Sequence, residues 1–139
     1  MREEPAIQCL LTLAALAHPE WGIRLAKFDL AYTLIEAIDG LDLVRSKLLA
    51  EIVYRVRDGH VTLGSFDRIE PRDQERITYV FGERYEGLRA WLDEYRSDQP
   101  QELDHFLSRL FGELLSQPGY GFHNDFTAGQ QTANLIESV

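Results

Sequence analysis

With 139 residues, 45% hydrophobic and 27% charged, the chain has the make-up of one globular domain that buries roughly two thirds of its unfolded surface, which excludes a disordered or fibrous chain. Its net charge of −9 opposes nonspecific adhesion to nucleic acid and to anionic membranes. The single cysteine, Cys9, excludes an intrachain disulfide; it fits a reducing, cytoplasmic compartment and reads as a buried structural thiol.

The apolar run from Ile7 to Ala17 is too short to span a bilayer, and its flank "MREEP" is acidic as well as basic, unlike a signal peptide. It reads as a core helix closed by "HPEW", with no membrane association. His18, before Pro19, is expected to lie near the last carbonyls of that helix. The stretch "DLAYTLIEAIDGLDLVRSKLLAEIVYRV" predicts two helices broken at Gly40, which can take the left-handed conformation that ends a helix. Leu30, Ala31, Leu34, Ile35 and Ile38 would line the first; Val44, Leu48, Ile52 and Val56 would line the second.

"RDGHVTLGSFDRIEP" is irregular, with room for a short strand or one helical turn. "PRDQERITYVFGERYEGLRAWLDEYR" predicts one long helix through Ile77, Phe81, Tyr85, Leu88, Leu92 and Tyr95, in which Gly82 and Gly87 are explained by close packing against a neighbour. "PQELDHFLSRLFGELLSQ" is the strongest helical pattern, with Pro100 in its first turn and Pro118-Gly119 as its stop. The last helix opens on a capping-box pattern at Thr127 and Gln130, and Leu135, Ile136 and Val139 begin an apolar face. No stretch alternates over a useful length like a half-buried strand. The expected architecture is therefore all-α, a compact bundle of about six helices in a single domain, residues 1–139, with one irregular middle segment.

Chemistry-bearing patterns are few. The four histidines include no pair at metal-binding spacing, and no HExxH, paired CxxC, nucleophile elbow or P-loop occurs. Asp104 and His105 are adjacent, hence about 100° apart around a helix and on different faces. No catalytic residue, metal ligand or cofactor is therefore assigned. Base and acid are unevenly spread: between Leu41 and Arg96 they nearly balance, whereas after Pro100 Arg109 is the lone base against an acidic remainder. Any nucleic-acid contact belongs to the middle of the chain. In "AIDGLDLVRSK", Gly40 precedes a helix whose first turns carry Arg45 and Lys47, a natural phosphate-binding pattern, and Arg55 and Arg57 extend it. Asp39 and Asp42 oppose an anion there and equally fit a helix cap.

The order of these segments resembles the accessory 2B subdomain of UvrD/Rep/RecB-like superfamily 1 DNA helicases. The likeness rests on His18-Pro19-Glu20 at a helix end, Gly40-Leu41 before a helix, Gly119-Tyr120 after a leucine-rich helix, and Asn134-Leu135 near the end. It implies an all-helical insertion in a motor domain, with the terminal helices leading back to that motor. It also implies no ATPase site in this chain, ATP and Mg held by the parent, and the parent's motor domains and the duplex DNA backbone as partners. Where some members have a second glycine in the duplex-contacting turn, Asp42 stands here, which weakens the implied contact. Two other classes compete: a freestanding helical protein–protein interaction module presenting aromatics such as Trp91 or Tyr120, and a small enzyme using Asp104, His105 or His123.

Overall fold

The computed structural model describes residues 5–98 and 101–139. The all-α expectation holds, with seven α-helices among the described residues: α1 (Pro5–Ala17), α2 (Lys27–Ala37), α3 (Leu43–Val53), α4 (Pro71–Ile77), α5 (Tyr79–Ser97), α6 (Leu103–Leu110) and α7 (Phe126–Ser138). None is long and apolar enough to cross a membrane. Between α3 and α4 the chain forms an antiparallel hairpin, β1 (Tyr54–Arg57) and β2 (His60–Leu63), followed by a 3-10 turn over Phe66–Arg68. The expected Pro100 start of the leucine-rich helix lies outside the described residues.

Helix α1 is buried on most of its circumference, with Leu10 and Leu13 fully enclosed, and it packs against α2, α5, α6 and α7. It is the axis of the bundle. At its end His18 is buried and does what its position predicts: Nδ1 donates to the Ala14 carbonyl, 2.7 Å away, because that oxygen can only accept. The structure adds a partner that the sequence did not disclose. His18 Nε2 lies 2.7 Å from the Tyr95 hydroxyl of α5, and the ring stacks on Trp21 at 4.1 Å between centroids. Tyr95 in turn accepts from the backbone of Gln101 and packs edge-on against Phe106, tying α1, α5 and α6 together.

A second tie joins α2 to the segment ahead of α7. Asp39 donates to the Gly119 carbonyl, Gly121 donates to Ala37, and Ile38 and Tyr120 form an antiparallel bridge. A Cβ on Gly121 would overlap the Glu36 carbonyl, so only glycine fits this approach. The Tyr120 hydroxyl crosses to the Arg84 carbonyl of α5 at 2.9 Å and occupies the space a side chain at Gly87 would need. Gly82 likewise admits the Phe66 ring. Close packing is thus why both glycines stand in a helix that they weaken.

Four expectations are corrected. The long helix over residues 71–96 is two helices, because Thr78 takes φ +79 and turns the chain between them. The break is accompanied by tertiary contacts: the Gln74 side-chain amide donates to the carbonyls of Phe66 and Ile69, fixing α4 against the 3-10 turn, while Ile77 is fully buried. Of the face expected for α3, Leu48 and Ile52 are half-buried against the core, but Val44 is 73% exposed and Val56 belongs to β1 and is 61% exposed; the fully buried positions are Ser46, Leu49, Ala50 and Val53. The irregular middle does hold the short strand and the helical turn it had room for, as β2 and the 3-10 turn, with strands too short to alternate visibly. The cap of α7 is Asp125, whose carboxylate accepts from Ala128 N, so Thr127 is inside the helix; Leu135 and Ile136 are half-buried and Val139 exposed. The leucine-rich helix passes from α6 into a π-helical turn over Phe111–Leu115, which keeps Leu110, Leu114 and Leu115 in the core.

These contacts set two outcomes for denaturant unfolding. Gly82→Ala is expected to destabilise the chain by about 1–3 kcal/mol through overpacking against Phe66. Thr78→Gly is expected to stabilise it by about 1 kcal/mol, because relief of a β-branched residue at positive φ exceeds the entropy glycine adds.

Candidate nucleic-acid interface

The turn between α2 and α3 is built as its sequence suggests, with Gly40 at φ +81 and Asp42 capping α3 by accepting from Arg45 N at 3.1 Å. The side chains then close on themselves. Arg45 Nη1 lies 2.7 Å from Asp42 Oδ1, Nε donates to the Arg76 carbonyl at 3.1 Å, and the guanidinium stands over the Phe81 ring. The side-chain hydrogen bond from Arg45, then the backbone one, holds the Asp42 carboxyl below its ordinary range. The start of α3 therefore has its own resident anion. Lys47 is exposed and forms no ion pair among the described residues.

Arg55 and Arg57 lie apart from this turn, on the hairpin. Asp58 and Gly59 both have positive φ, 53 and 80, the pattern of the tight turn that an Asp-Gly pair favours in hairpins. That dipeptide was the readable signal for the two strands. Residues two apart share a face of a strand, so Arg55 and Arg57 project together, with Thr62 opposite Arg55 in the register. They line a groove of about 460 Å³ with Arg68 of the 3-10 turn and Arg89 of α5, over a floor that includes Gly64 and Ser65. Arg68 and Arg89 were not among the residues expected from sequence, because a strand, a turn and a helix must converge before the group exists.

The groove floor is fixed from below. Gly64 N donates to Val53, the Tyr85 hydroxyl donates to the Gly64 carbonyl at 2.6 Å, and Arg89 Nε donates to the Leu63 carbonyl at 3.1 Å. Burial pushes the Tyr85 phenol well up, so it stays a donor. Glu86 is turned toward the backbone, accepting from Ser65 Oγ and Phe66 N while pairing with Arg89 at 3.3 Å.

The remaining candidates do not assemble a reaction centre. No group of three or more His, Cys, Asp or Glu side chains able to hold a metal is found among the described residues. His105 is exposed, and His123 is exposed with Nδ1 on the Ser116 carbonyl. Asp104 Oδ1 is buried with no hydrogen-bond partner among the described residues. Cys9 is buried, its sulfur 3.7 Å from the Thr33 carbonyl, and burial first and Glu36 second push its thiol up, the state of an inert thiol. Trp91 and Tyr120, expected to be exposed, are half-buried: Trp91 stacks on Tyr95 and donates to Glu113, and Tyr120 bonds Arg84.

No family model, curated protein or solved structure matches the chain.

The lowered Asp42 carboxyl has a pH signature. Its contribution to folding is complete above the ordinary carboxylate range and is lost as pH falls through the depressed folded value. Asp42→Asn is therefore expected to lower stability near neutral pH and to flatten the acid limb of a stability–pH curve followed by urea unfolding.

Proposed function

We propose that the chain is an accessory helical subdomain of an ATP-dependent superfamily 1 DNA helicase of the UvrD/Rep kind, positioning duplex DNA or regulating the motor, with no ATPase site of its own. One observation carries this reading. The residues leading into Gly40-Leu41 and the Gly119-Tyr120 pair, far apart in the chain and belonging to separate elements of the family likeness, are joined by the Ile38–Tyr120 bridge and the bonds Asp39 to Gly119 and Gly121 to Ala37. Two turns so joined form a rigid block with α5 behind it, suited to transmitting a rigid-body rotation. In this reading the motor domains of the parent hold ATP and Mg, the protein acts in the cytoplasm in DNA repair, and Arg45 and Lys47 touch the duplex backbone.

Two measurements test it. The surrounding reading frame is expected to contain a Gly-Lys-Ser/Thr loop and further motor motifs; a frame without them removes the reading. In the parent helicase, Arg45→Glu with Lys47→Glu is expected to lower unwinding of a tailed duplex by about tenfold, on the order of two lost backbone contacts, while ATP hydrolysis stimulated by single-stranded DNA stays within about twofold. Equal loss of both would place these residues in folding rather than in duplex positioning.

A second reading, a freestanding protein–protein interaction module, is favoured by a different observation. Val44 at the start of α3 and Tyr79 and Val80 at the start of α5 are 73%, 59% and 53% exposed. A mass by light scattering that rises with concentration supports that reading over the first.

A further inference from the structure

We propose that the groove of Arg55, Arg57, Arg68 and Arg89 is a phosphodiester site, taking successive phosphates of a nucleic-acid duplex without regard to sequence. This rests on the reading of the chain as a DNA-contacting module and moves the principal contact from the α2–α3 turn to the hairpin.

Charge is the first ground. Acids outnumber bases in this chain by 23 to 14, and elsewhere most bases are engaged: Lys27, Arg45, Arg76, Arg84, Arg96 and Arg109 each reach a carboxylate or a carbonyl. The groove reverses that balance, with four arginines and no acid in its lining. Arg89 has its partner in Glu86, but Arg55, Arg57 and Arg68 form neither an ion pair nor a side-chain hydrogen bond among the described residues. Like charges gathered around a concave surface repel, and an anion seated among them removes the repulsion.

Geometry is the second. Arg55 and Arg57, two residues apart on one strand face, stand about 6.6 Å apart along the strand, a spacing on the scale of neighbouring phosphates in one nucleic-acid strand. The guanidinium of Arg55 lies against Gly64, where a Cβ would come within 2.9 Å of its Nε. The backbone of Leu63 and Gly64 is held by Arg89 and Tyr85, so the floor does not need to reorganise on binding. Thr62 adds a hydroxyl beside Arg55.

The lining also selects the class of ligand. It contains no aromatic ring on which an unpaired base could stack, which separates it from single-strand channels. Leu63 is its one aliphatic member of any size, so a peptide finds no pockets for alternate side chains, and a lipid finds no apolar surface beside its headgroup. A paired nucleic acid, presenting phosphates outward with its bases enclosed, meets both conditions.

The test is fluorescence anisotropy of the full chain with a labelled duplex of arbitrary sequence across a salt series. Three neutralised phosphates give a log–log salt slope of about −3, and each arginine removed makes it shallower by about one. Arg55→Gln with Arg57→Gln, and Arg68→Gln separately, are expected to reduce both affinity and slope. Arg24→Gln, near the other side of the hairpin, is expected to leave them unchanged. Variants with unaltered circular dichroism that bind with the wild-type slope overturn the site. So does equal, arginine-dependent binding of polyglutamate or phosphatidylserine vesicles, which reveals a general anion surface. Arg45→Glu with Lys47→Glu distinguishes the two contacts: loss of binding there alone supports the turn and refutes the groove. Loss in the groove variants alone retains the phosphate site even where the reading frame lacks motor motifs.

Discussion

The approach of Gly121 to the carbonyl of Glu36 is the constraint around which the rest is arranged. It allows Ile38 and Tyr120 to pair, and so brings the end of α2 against the segment that follows the π-helical turn. Tyr120 then reaches α5, where Gly87 leaves room for its hydroxyl, and Arg84 of that helix returns a hydrogen bond to Asp39. Each member is ordinary alone. Together they close a loop through three parts of the chain, and a larger residue at any of the close approaches would open it.

The His18–Tyr95 contact has the same logic near the end of α1. A histidine at a helix end can satisfy one carbonyl locally, and the sequence predicts that much. Its second nitrogen is free to choose a partner, and that choice depends on α5 bringing Tyr95 within reach, which local spacing cannot encode. Contacts made outside the helix also accompany the split at Thr78. The periodicity of Ile77, Phe81, Tyr85 and Leu88 runs unbroken across it, yet Gln74 anchors α4 to the carbonyls of the preceding turn and the chain bends after it.

Helical class, the Gly40 break, the buried state of Cys9 and the packing role of Gly82 and Gly87 were all legible, because each follows from side-chain size, periodicity or backbone freedom. The face of α3 was legible only in part: Leu48 and Ile52 pack against the core, but Val44, which continues the apolar spacing, is exposed, and Ser46, whose hydroxyl bonds the Ala31 carbonyl, is buried. At the candidate interface the two halves differed in kind. Arg55 and Arg57 were visible as charges, with the Asp-Gly pair beside them as an unused sign of a hairpin. Arg68 and Arg89 join them only through the fold, and Arg45, equally visible, is drawn away by Asp42, the acid that a helix start recruits.

The hairpin itself has four-residue strands and no apolar face large enough to sustain it. It borrows its order from the bundle through Tyr54 on the Leu25 carbonyl and Tyr85 on that of Gly64. The arginine groove consequently has no folding equilibrium of its own. Its amides should exchange with solvent in the same cooperative unit as α5, so any event that loosens α5 also disperses the positive charge, and the field at the surface becomes a report on the integrity of the core.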